Sequence, residues 1–451
     1  MKILIVGCGK VGQTLAAELN EEGNDITMID IDAHAVEDIS TKLDIMGVVG
    51  NGATHTVLEE AGIDKADLLI AVTGSDELNL LCCIIARRAS SCRVIARVRN
   101  PVYSTEATYL KDELGLAMVI NPEQAAAAEI ARVLRFPSAI KIDTFAKGRA
   151  ELLSFRLSEG SMLVGMSVKD VMIKLGCDIL FCTVERGKDV YIAKGDFVFA
   201  EKDIISVVAS PENLADFFKK INYKTRSSRH VLVVGGGEMT HYLCGVLKNT
   251  HVSVSVIEPD EGKCGTLADE FPSVTVFCGD PSDREFLLEK GANRVDAFVA
   301  LTKFDEENIL LSLFAKSMGD CKTVTKINRI DFDDVIKHLD LDTTVYPENI
   351  TADIIVRYVR SMKSTMGSNM ETLYQLIKGR VEAAEFIVQE NSPVINIPLM
   401  EMKLKADVLV AAIIRDGKVR IPRGQDVICV GDGVIIVSKL HAMHDVSDIL
   451  R

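Results

Sequence analysis

The chain has 451 residues, of which 48% are hydrophobic and 26% charged, so it exceeds one ordinary core and is not globally disordered. A formal charge of −14 argues against nucleic acid or anionic lipid as direct partners; it suits the basic loops of a membrane protein and equally a merely soluble protein. Every apolar run breaks well before the roughly 18 residues of a spanning helix, and the run after Met1-Lys2 stops at Gly7. Neither a membrane span nor a cleavable leader is expected. The chain is therefore read as cytoplasmic, meeting a membrane only through a partner.

Residues 3–6 read as a buried strand, and the turn Gly7-Cys8-Gly9-Lys10-Val11-Gly12 opens a helix through Leu19. Further strands are expected at 25–29, 44–49, 68–72 and 94–98, alternating with amphipathic helices. Such alternation indicates a parallel sheet with right-handed crossovers. Asn121-Pro122-Glu123 starts a helix over 121–134 that runs through four alanines. This helix should join two modules and is suited to pack on a partner subunit. Residues 151–209 are strand-rich with glycine and charged turns, and 167–175 reads as a short helix, which together suggest a compact β-rich α+β module. Residues 223–229 read as a polar linker, and 361–369 as a flexible connection.

The chain then repeats itself. Gly235-Gly236-Gly237-Glu238-Met239-Thr240 matches the first glycine turn at an offset of 228 (235 − 7), and Asp30 falls on Glu258. Residues 71–79 match 300–308 at an offset of 229 (300 − 71), which sets Arg97 opposite Lys326. Gly50-Asn51-Gly52-Ala53-Thr54 has a looser counterpart in Gly279-Asp280-Pro281-Ser282-Asp283, and the second joining helix starts at Tyr346-Pro347-Glu348. In the smaller modules, residues 155–168 resemble 386–399. The turn Glu185-Arg186-Gly187-Lys188 recurs as Arg415-Asp416-Gly417-Lys418, and Lys194-Gly195-Asp196 as Arg423-Gly424-Gln425. The fold expected is α/β, with two tandem Rossmann-like parallel-sheet domains, each followed by a small β-rich α+β domain.

The first glycine turn has the context that a dinucleotide site needs: a strand before it and a helix after it. Gly7 permits the tight turn, Gly9 lets the backbone approach a pyrophosphate, and Gly12 allows close helix–strand packing. The helix N-terminus adds free N–H groups and the positive end of its dipole. Asp30 ends the second strand 18 residues past Gly12 (30 − 12), where a carboxylate meets ribose hydroxyls. No arginine follows it to receive a 2′-phosphate, so NAD or NADH is favoured over the phosphorylated form, with ATP or ADP as alternative ligands. Thr73 and Gly74 follow the fourth strand at the carboxyl edge of the sheet, while Ser75 suits a helix N-cap with Asp76 and Glu77 in the first turn. Arg97 closes the fifth strand, in reach of phosphate or of a surface ion pair. In the second repeat Thr240 takes the third glycine's place, Glu238 replaces Lys10, and Pro259-Asp260 follows Glu258. Weaker or different binding is expected there.

Eleven cysteines without a C-x-x-C pair or a leader read as reduced, buried thiols acting as small hydrophobes. No metal site is expected. The histidines are His34, His55, His230, His241, His251, His338, His441 and His444, and none recurs at equivalent places in the two halves. With no general acid or base paired to a nicotinamide site, and no hydrolase elbow, zincin or P-loop motif, a catalytic role is not expected. A nicotinamide-dependent oxidoreductase is the rival reading.

The run Met1 to Gly12, Asp30, Gly50-Asn51-Gly52-Ala53-Thr54 and Val72-Thr73 before Asp76-Glu77-Leu78-Asn79 resemble domains that regulate potassium conductance (RCK, or KTN, domains). Two such units in tandem, each with a small C-terminal module, resemble the peripheral regulators of prokaryotic Trk potassium-uptake systems. The resemblance covers nearly the whole chain. It implies domains at 1–135 and 229–352 that bind NAD(H) or adenine nucleotides, and C-terminal domains at 140–222 and 370–451. It places one site on Gly7, Cys8, Gly9, Lys10, Val11, Gly12, Asp30, Asn51, Thr73, Gly74 and Arg97. The other falls on Gly235, Gly236, Gly237, Glu238, Met239, Glu258 and Lys326. It further implies assembly into a ring beneath an integral-membrane potassium transporter on the inner face of the plasma membrane. A regulator of a potassium efflux system is the alternative target.

Overall fold

The opening apolar run forms β1 (Lys2–Val6), and the glycine turn leads into α1 (Lys10–Glu21). There follow β2 (Asp25–Asp30), α2 (Ala33–Leu43), β3 (Met46–Val49), α3 (His55–Glu60), β4 (Leu68–Ala71), α4 (Asp76–Ala89) and β5 (Arg93–Arg97). Then come α5 (Pro101–Thr105), α6 (Ala107–Leu114), β6 (Met118–Ile120) and α7 (Pro122–Arg135). The strands form one parallel sheet in the order β3-β2-β1-β4-β5-β6. Ile3, Leu4 and Ile5 are fully buried because helices cover both faces of such a sheet. Chain direction across the sheet reverses at β1, so a crevice opens at the carboxyl ends of β1 and β4. The structure is a computed structural model and describes all residues except 136–138, 147–148, 158–159, 223–227, 249, 251, 320, 329–332, 337, 340, 366–369, 378–379, 440–442 and 444.

Two differences from expectation have local causes. The third strand starts at Met46 because Asp44 takes a left-handed conformation (φ 54°) as C-cap of α2. The sixth strand has three residues, too few to show a period in sequence.

The first small module comprises β7 (Ala139–Phe145), β8 (Ala150–Arg156), α8 (Val168–Leu175), β9 (Leu180–Arg186), β10 (Asp189–Ile192), β11 (Ile204–Ala209) and α9 (Pro211–Lys220). Its antiparallel order is β10-β9-β11-β8-β7. Ser167 caps the expected short helix by accepting the Asp170 N–H at 3.1 Å. Helix α9 was not foreseen, although Ser210 caps it and Pro211 occupies its first turn.

The second Rossmann domain contains β12 (His230–Val234), α10 (Glu238–Leu247), β13 (Ser253–Glu258), α11 (Glu261–Glu270), β14 (Thr275–Cys278), α12 (Arg284–Glu289) and β15 (Ala297–Ala300). It continues with α13 (Asp305–Met318), β16 (Lys322–Lys326), α14 (Asp333–Ile336), β17 (Thr343–Val345) and α15 (Pro347–Thr365). The parallel order β14-β13-β12-β15-β16-β17 reproduces the first sheet. Residues 361–365, expected as part of a flexible connection, are the last turn of α15, and 366–369 lie outside the described residues. Of the linker expected at 223–229, residues 223–227 likewise lie outside them. The last module holds β18 (Met370–Ile377), β19 (Val381–Ile387), β20 (Val408–Arg415), β21 (Lys418–Arg420) and β22 (Gly433–Ser438), in the antiparallel order β18-β19-β22-β20-β21.

The chain divides into two compact units, one made by the two Rossmann domains and the other by the two small modules. In the first unit, α7 leaves its own sheet and lies on the second repeat. Its Ala126, Ala127, Ile130 and Leu134 share a core with Leu243, Cys244 and Leu247 of α10. Alanines keep that face shallow, so the backbones approach closely. The buried Ile130 and Leu134 each contribute roughly 1.5–3 kcal/mol of apolar burial. The helix expected to join modules therefore clamps one repeat to the other.

In the second unit, alternate residues of β8 serve two cores. Leu153 and Phe155 face the module's own aromatic core with Phe181, Phe199 and Phe217. Leu152 faces the other module, together with Cys182 and Val208, against Ala383, Ala411, Ile435 and Val437. Each module also carries the same ion pair, a buried aspartate held by a more exposed arginine. Arg186 donates through Nε and Nη2 to Asp203, both at 2.8 Å, and Arg415 does so to Asp432 at 2.8 and 2.7 Å. These pairs align Arg186 with Arg415, an offset of 229 (415 − 186), so the sequence match drawn at this turn is one residue out of register.

Candidate nucleotide site

In the first repeat the site begins with Gly7, whose φ of 113° turns the chain sharply after β1. A Cβ at Gly12 would stand 1.9 Å from the Gly7 carbonyl oxygen, which explains the third glycine as a close-packing requirement. Around Gly9 and Gly74 there is open space: a Cβ at either would meet nothing within 4 Å. Helix α1 starts with Gly9 as N-cap and no side-chain cap, so Lys10, Val11 and Gly12 present unclaimed N–H groups to that space.

Asp30 brackets the turn from the end of β2. Its Oδ2 accepts the Cys8 N–H at 2.6 Å and its Oδ1 accepts the Asp32 N–H at 3.0 Å. Each oxygen keeps a lone pair for another donor. Burial, followed by the charges of Asp30 and Asp32, pushes the Cys8 thiol up to about 12, so it stays protonated. Ile31 beside Asp30 is 76% exposed, an apolar face at the end of β2. Asn51 lies beyond β3; its side chain accepts the Ala53 N–H at 2.9 Å.

The opposite wall is the loop after β4. Thr73 donates both its N–H and its hydroxyl to Asn79 Oδ1, each at 2.7 Å, which leaves the hydroxyl as an acceptor. Asn79 is fully buried and ties this loop to β5 by donating to the Arg97 carbonyl at 2.9 Å. The second repeat has the same bracket: Asn308 accepts from the Thr302 N–H at 2.8 Å and donates to the Lys326 carbonyl at 3.1 Å. Asn79 and Asn308 were visible only as matched letters in the repeat. Ser75 caps α4, accepting the Leu78 N–H at 3.2 Å.

Arg97 is not a surface ion pair. Its Nη2 donates to the Thr73 carbonyl at 2.9 Å, and its Nε is buried with no hydrogen-bond partner among the described residues. Burial, then the neighbouring Arg99, lowers its pKa, although a guanidinium remains charged. Arg99 donates to the Gly74 carbonyl at 2.8 Å. Lys326, the counterpart of Arg97, is lowered chiefly by burial, opposed by Asp305, Glu123 and Glu348. Glu123 and Glu348 open α7 and α15, and burial raises both carboxyls. These two acids were read from sequence only as helix starts. Their recurrence in Pro-Glu pairs at matched sheet edges was the available signal.

The repeats meet at these edges. Lys10 donates its ammonium to the Asn328 carbonyl of the second repeat. Tyr242 accepts from the Asn121 side chain and donates to the Arg99 carbonyl, both at 2.8 Å. Glu238, the counterpart of Lys10, adds negative charge beside Glu123.

The second site is built from the same parts with different fillings. Gly235 has φ 104°, and α10 also begins without a side-chain cap. Glu258, one methylene longer than aspartate, is buried (5% exposed) and folds back onto the glycine turn. It accepts the Gly236 N–H at 2.5 Å and the Asp260 N–H at 3.1 Å, and its Oε1 lies 3.5 Å from Lys263 Nζ. Thr240 is fully buried, and its hydroxyl donates to the Gly235 carbonyl, so a hydrogen bond occupies the contact that glycine leaves bare in the first repeat. Lys303 and the 66% exposed Phe304 replace Gly74 and Ser75. Gly237 and Met239 hold the places of Gly9 and Val11.

The cysteine reading needs a correction: eight thiols are buried, but Cys278 is exposed and Cys321 and Cys429 are intermediate. Cys278 ends an outer strand, whose last side chain faces outward. His55 heads α3 and pairs with exposed Glu59 at 3.4 Å, and His241 lies 3.1 Å from Glu270. His251, His441 and His444 lie outside the described residues. Among the described residues, no three His, Cys, Asp or Glu side chains cluster as metal ligands, and no helix is long and apolar enough to cross a membrane.

This architecture recurs in known proteins. The TrkA-N domain family matches residues 3–122 and 231–347, and the TrkA-C domain family matches 152–222 and 383–451. The chain is 30% identical to the Trk system potassium uptake protein TrkA homolog of Archaeoglobus fulgidus over 451 residues, all of both chains. It is 32% identical to TrkA homolog 1 of Methanosarcina mazei, covering 99% of each chain, and 30% identical to TrkA of Haemophilus influenzae, covering 97% of this chain and 95% of that one. In fold it is similar to the GsuK channel (TM-score 0.67, 16% identity, 97% of this chain and 76% of that one). It is also similar to the GsuK channel bound to NAD (TM-score 0.65, 16% identity, the same coverage). Full-length identity to these curated relatives and the paired N- and C-domain matches give the same answer: the chain belongs to the TrkA family of Trk system potassium uptake proteins, as a tandem of two TrkA-N and TrkA-C domain pairs.

Proposed function

We propose that this chain is a cytoplasmic nucleotide-sensing subunit, not an enzyme, that gates an integral-membrane Trk-type potassium transporter from the inner face of the plasma membrane. The observation that carries the reading is the first crevice. An uncapped helix N-terminus faces open space at Gly9 and Gly74, with the Asp30 carboxylate on one side and Arg97 behind the opposite loop. These groups fit a pyrophosphate and a ribose. The turn from Gly7 to Gly12 would hold the phosphates, Asp30 the sugar hydroxyls, Ile31 a face of the base, and Asn51, Thr73 and Gly74 the remaining edge. NAD or NADH is the ligand favoured, with ATP or ADP as alternatives; a fold neighbour, GsuK, is described bound to NAD and bound to ADP. The bound group supplies charge and shape, not chemistry.

The second site, on Gly235 to Met239, Glu258 and Lys326, binds more weakly because Glu258 is buried beside Lys263 and Thr240 fills the close-packing position that Gly12 leaves bare. The α7 clamp and the Lys10–Asn328 contact join the two crevices, so closure at one is felt at the other. A ring of such units beneath the transporter would turn that closure into gate movement, provided that the nucleotide prefers one ring shape. The test is potassium flux through the reconstituted transporter with and without each nucleotide. Flux that follows NADH with the wild-type chain and not with Asp30→Ala is expected, and flux indifferent to every nucleotide would eliminate the gating role.

A further inference from the structure

Cys264 and Cys278 differ from every other cysteine pair in the first unit. Cys264 lies in the first turn of α11, and Cys278 is the last residue of β14, in register with Glu258 of β13. Cys264 Sγ donates to the Glu258 carbonyl at 3.2 Å, and Cys278 Sγ lies 3.9 Å from the carbonyl of Pro259, the next peptide unit. The two thiols thus converge on one strand end, and both carbonyls belong to consecutive residues. One is buried and the other exposed. In the first repeat the matching positions, at offsets of 228 (264 − 36) and 229 (278 − 49), are Val36 and Val49, so the pair is a property of the second repeat alone.

We propose that Cys264 and Cys278 form an oxidisable dithiol that closes to a disulfide by exchange with a low-molecular-weight disulfide such as glutathione disulfide. The exposed Cys278 thiolate attacks one sulfur of glutathione disulfide; its S–S bond breaks and one glutathione leaves as a thiolate. Cys264, once deprotonated, attacks the Cys278 sulfur of the mixed disulfide and expels the second glutathione. Two protein thiols become one disulfide, one glutathione disulfide becomes two thiols, and the two cysteine protons end on the released glutathiones. Burial, then Cys278, Glu258 and Asp260, pushes the Cys264 thiol up to about 12, so the resolving step is slow at neutral pH. The bond would tie α11 to β14 across the strand end that carries Glu258, making the second crevice, and not the first, responsive to thiol redox state. In a reducing compartment such a bond is transient, as expected of a sensor and not of a structural bridge.

The experiment is peptide mass spectrometry of the full-length chain after incubation with glutathione disulfide, with free thiols alkylated at intervals. A cross-link between Cys264 and Cys278 with loss of two free thiols is expected. Cys264→Ser should instead accumulate glutathione on Cys278, and Cys278→Ser should leave Cys264 unmodified; circular dichroism melting checks that both variants fold. Decay of the mixed disulfide in the wild-type chain should accelerate roughly tenfold per pH unit between about pH 7 and 9. A mixed disulfide on Cys278 that persists at about pH 9, or oxidation that maps to Cys321 or Cys429 instead, overturns the proposal. The outcome is independent of whether either crevice binds a nucleotide.

Discussion

The two crevices have the same topology and differ in a few fillings. In the first, the strand-end aspartate is half-buried and accepts a turn N–H, and Gly12 lets the helix approach bare backbone. In the second, the glutamate makes the same bond to the turn but is buried beside Lys263, and Thr240 fills the close-approach position with a hydroxyl. The repeats share the scaffold while the crevice side chains differ, because the sheet order and the Asn79 and Asn308 brackets depend on residues outside the crevice floor.

The comparison is broken most severely by moving the second repeat's threonine into the first. Gly12→Thr should cost about 3 kcal/mol, the upper end of overpacking, since its Cβ would meet the Gly7 carbonyl at 1.9 Å. Denaturant unfolding measures this. An unchanged midpoint would mean that the first turn relaxes as easily as the second.

The small modules provide the control, since there the repeats kept one network. Asp203→Ala and Asp432→Ala should each cost about 2 kcal/mol, because each removes two charge-assisted bonds to an arginine and one to a backbone N–H, from Ala200 or Cys429. Equal losses in denaturant melts support retained equivalence, and a loss confined to one module breaks it.

The smallest expected effect separates Glu123 from Glu348. Burial raises both carboxyls; Glu123 then faces Glu238 opposed by Arg99 and Arg97, and Glu348 faces Lys10 and Arg97 opposed by Asp305 and Glu123, so Glu238 and Lys10 are the leading charges that differ. A carboxyl whose folded pKa lies above its unfolded value binds a proton more tightly when folded. Its cost therefore grows as pH rises from the ordinary carboxyl range to the folded pKa, and stays constant above it. Glu123→Gln should thus gain stability over the wild-type chain as pH is raised through that window, and more than Glu348→Gln does, in thermal melts across pH. Equal gains would mean that the exchange of Lys10 for Glu238 is electrostatically silent.

Much of this was legible in the sequence. Glycine spacing after a short apolar run fixed both Rossmann turns, and the repeat offset fixed the tandem arrangement. Asp30 and Glu258 were found at their strand ends because an acid there is a matter of spacing alone. What stayed hidden was what side chains do once folded. Spacing does not show that Glu258 turns inward, that Thr73 donates to Asn79, or that Arg97 is held beneath its loop. The path of α7 onto the second repeat depends on contacts far apart in the chain, and β6 is too short to carry a pattern. Cys278 looked like core because its neighbours are apolar; its exposure follows from its place on an outer strand.

The central claim is that the first crevice is the tight nucleotide site. Isothermal titration of NADH into the wild-type chain, Asp30→Ala and Glu258→Ala tests it directly. Loss of at least about tenfold in the tighter affinity with Asp30→Ala, and none with Glu258→Ala, is the predicted result. Unchanged affinity in Asp30→Ala together with abolished binding in Glu258→Ala would contradict it.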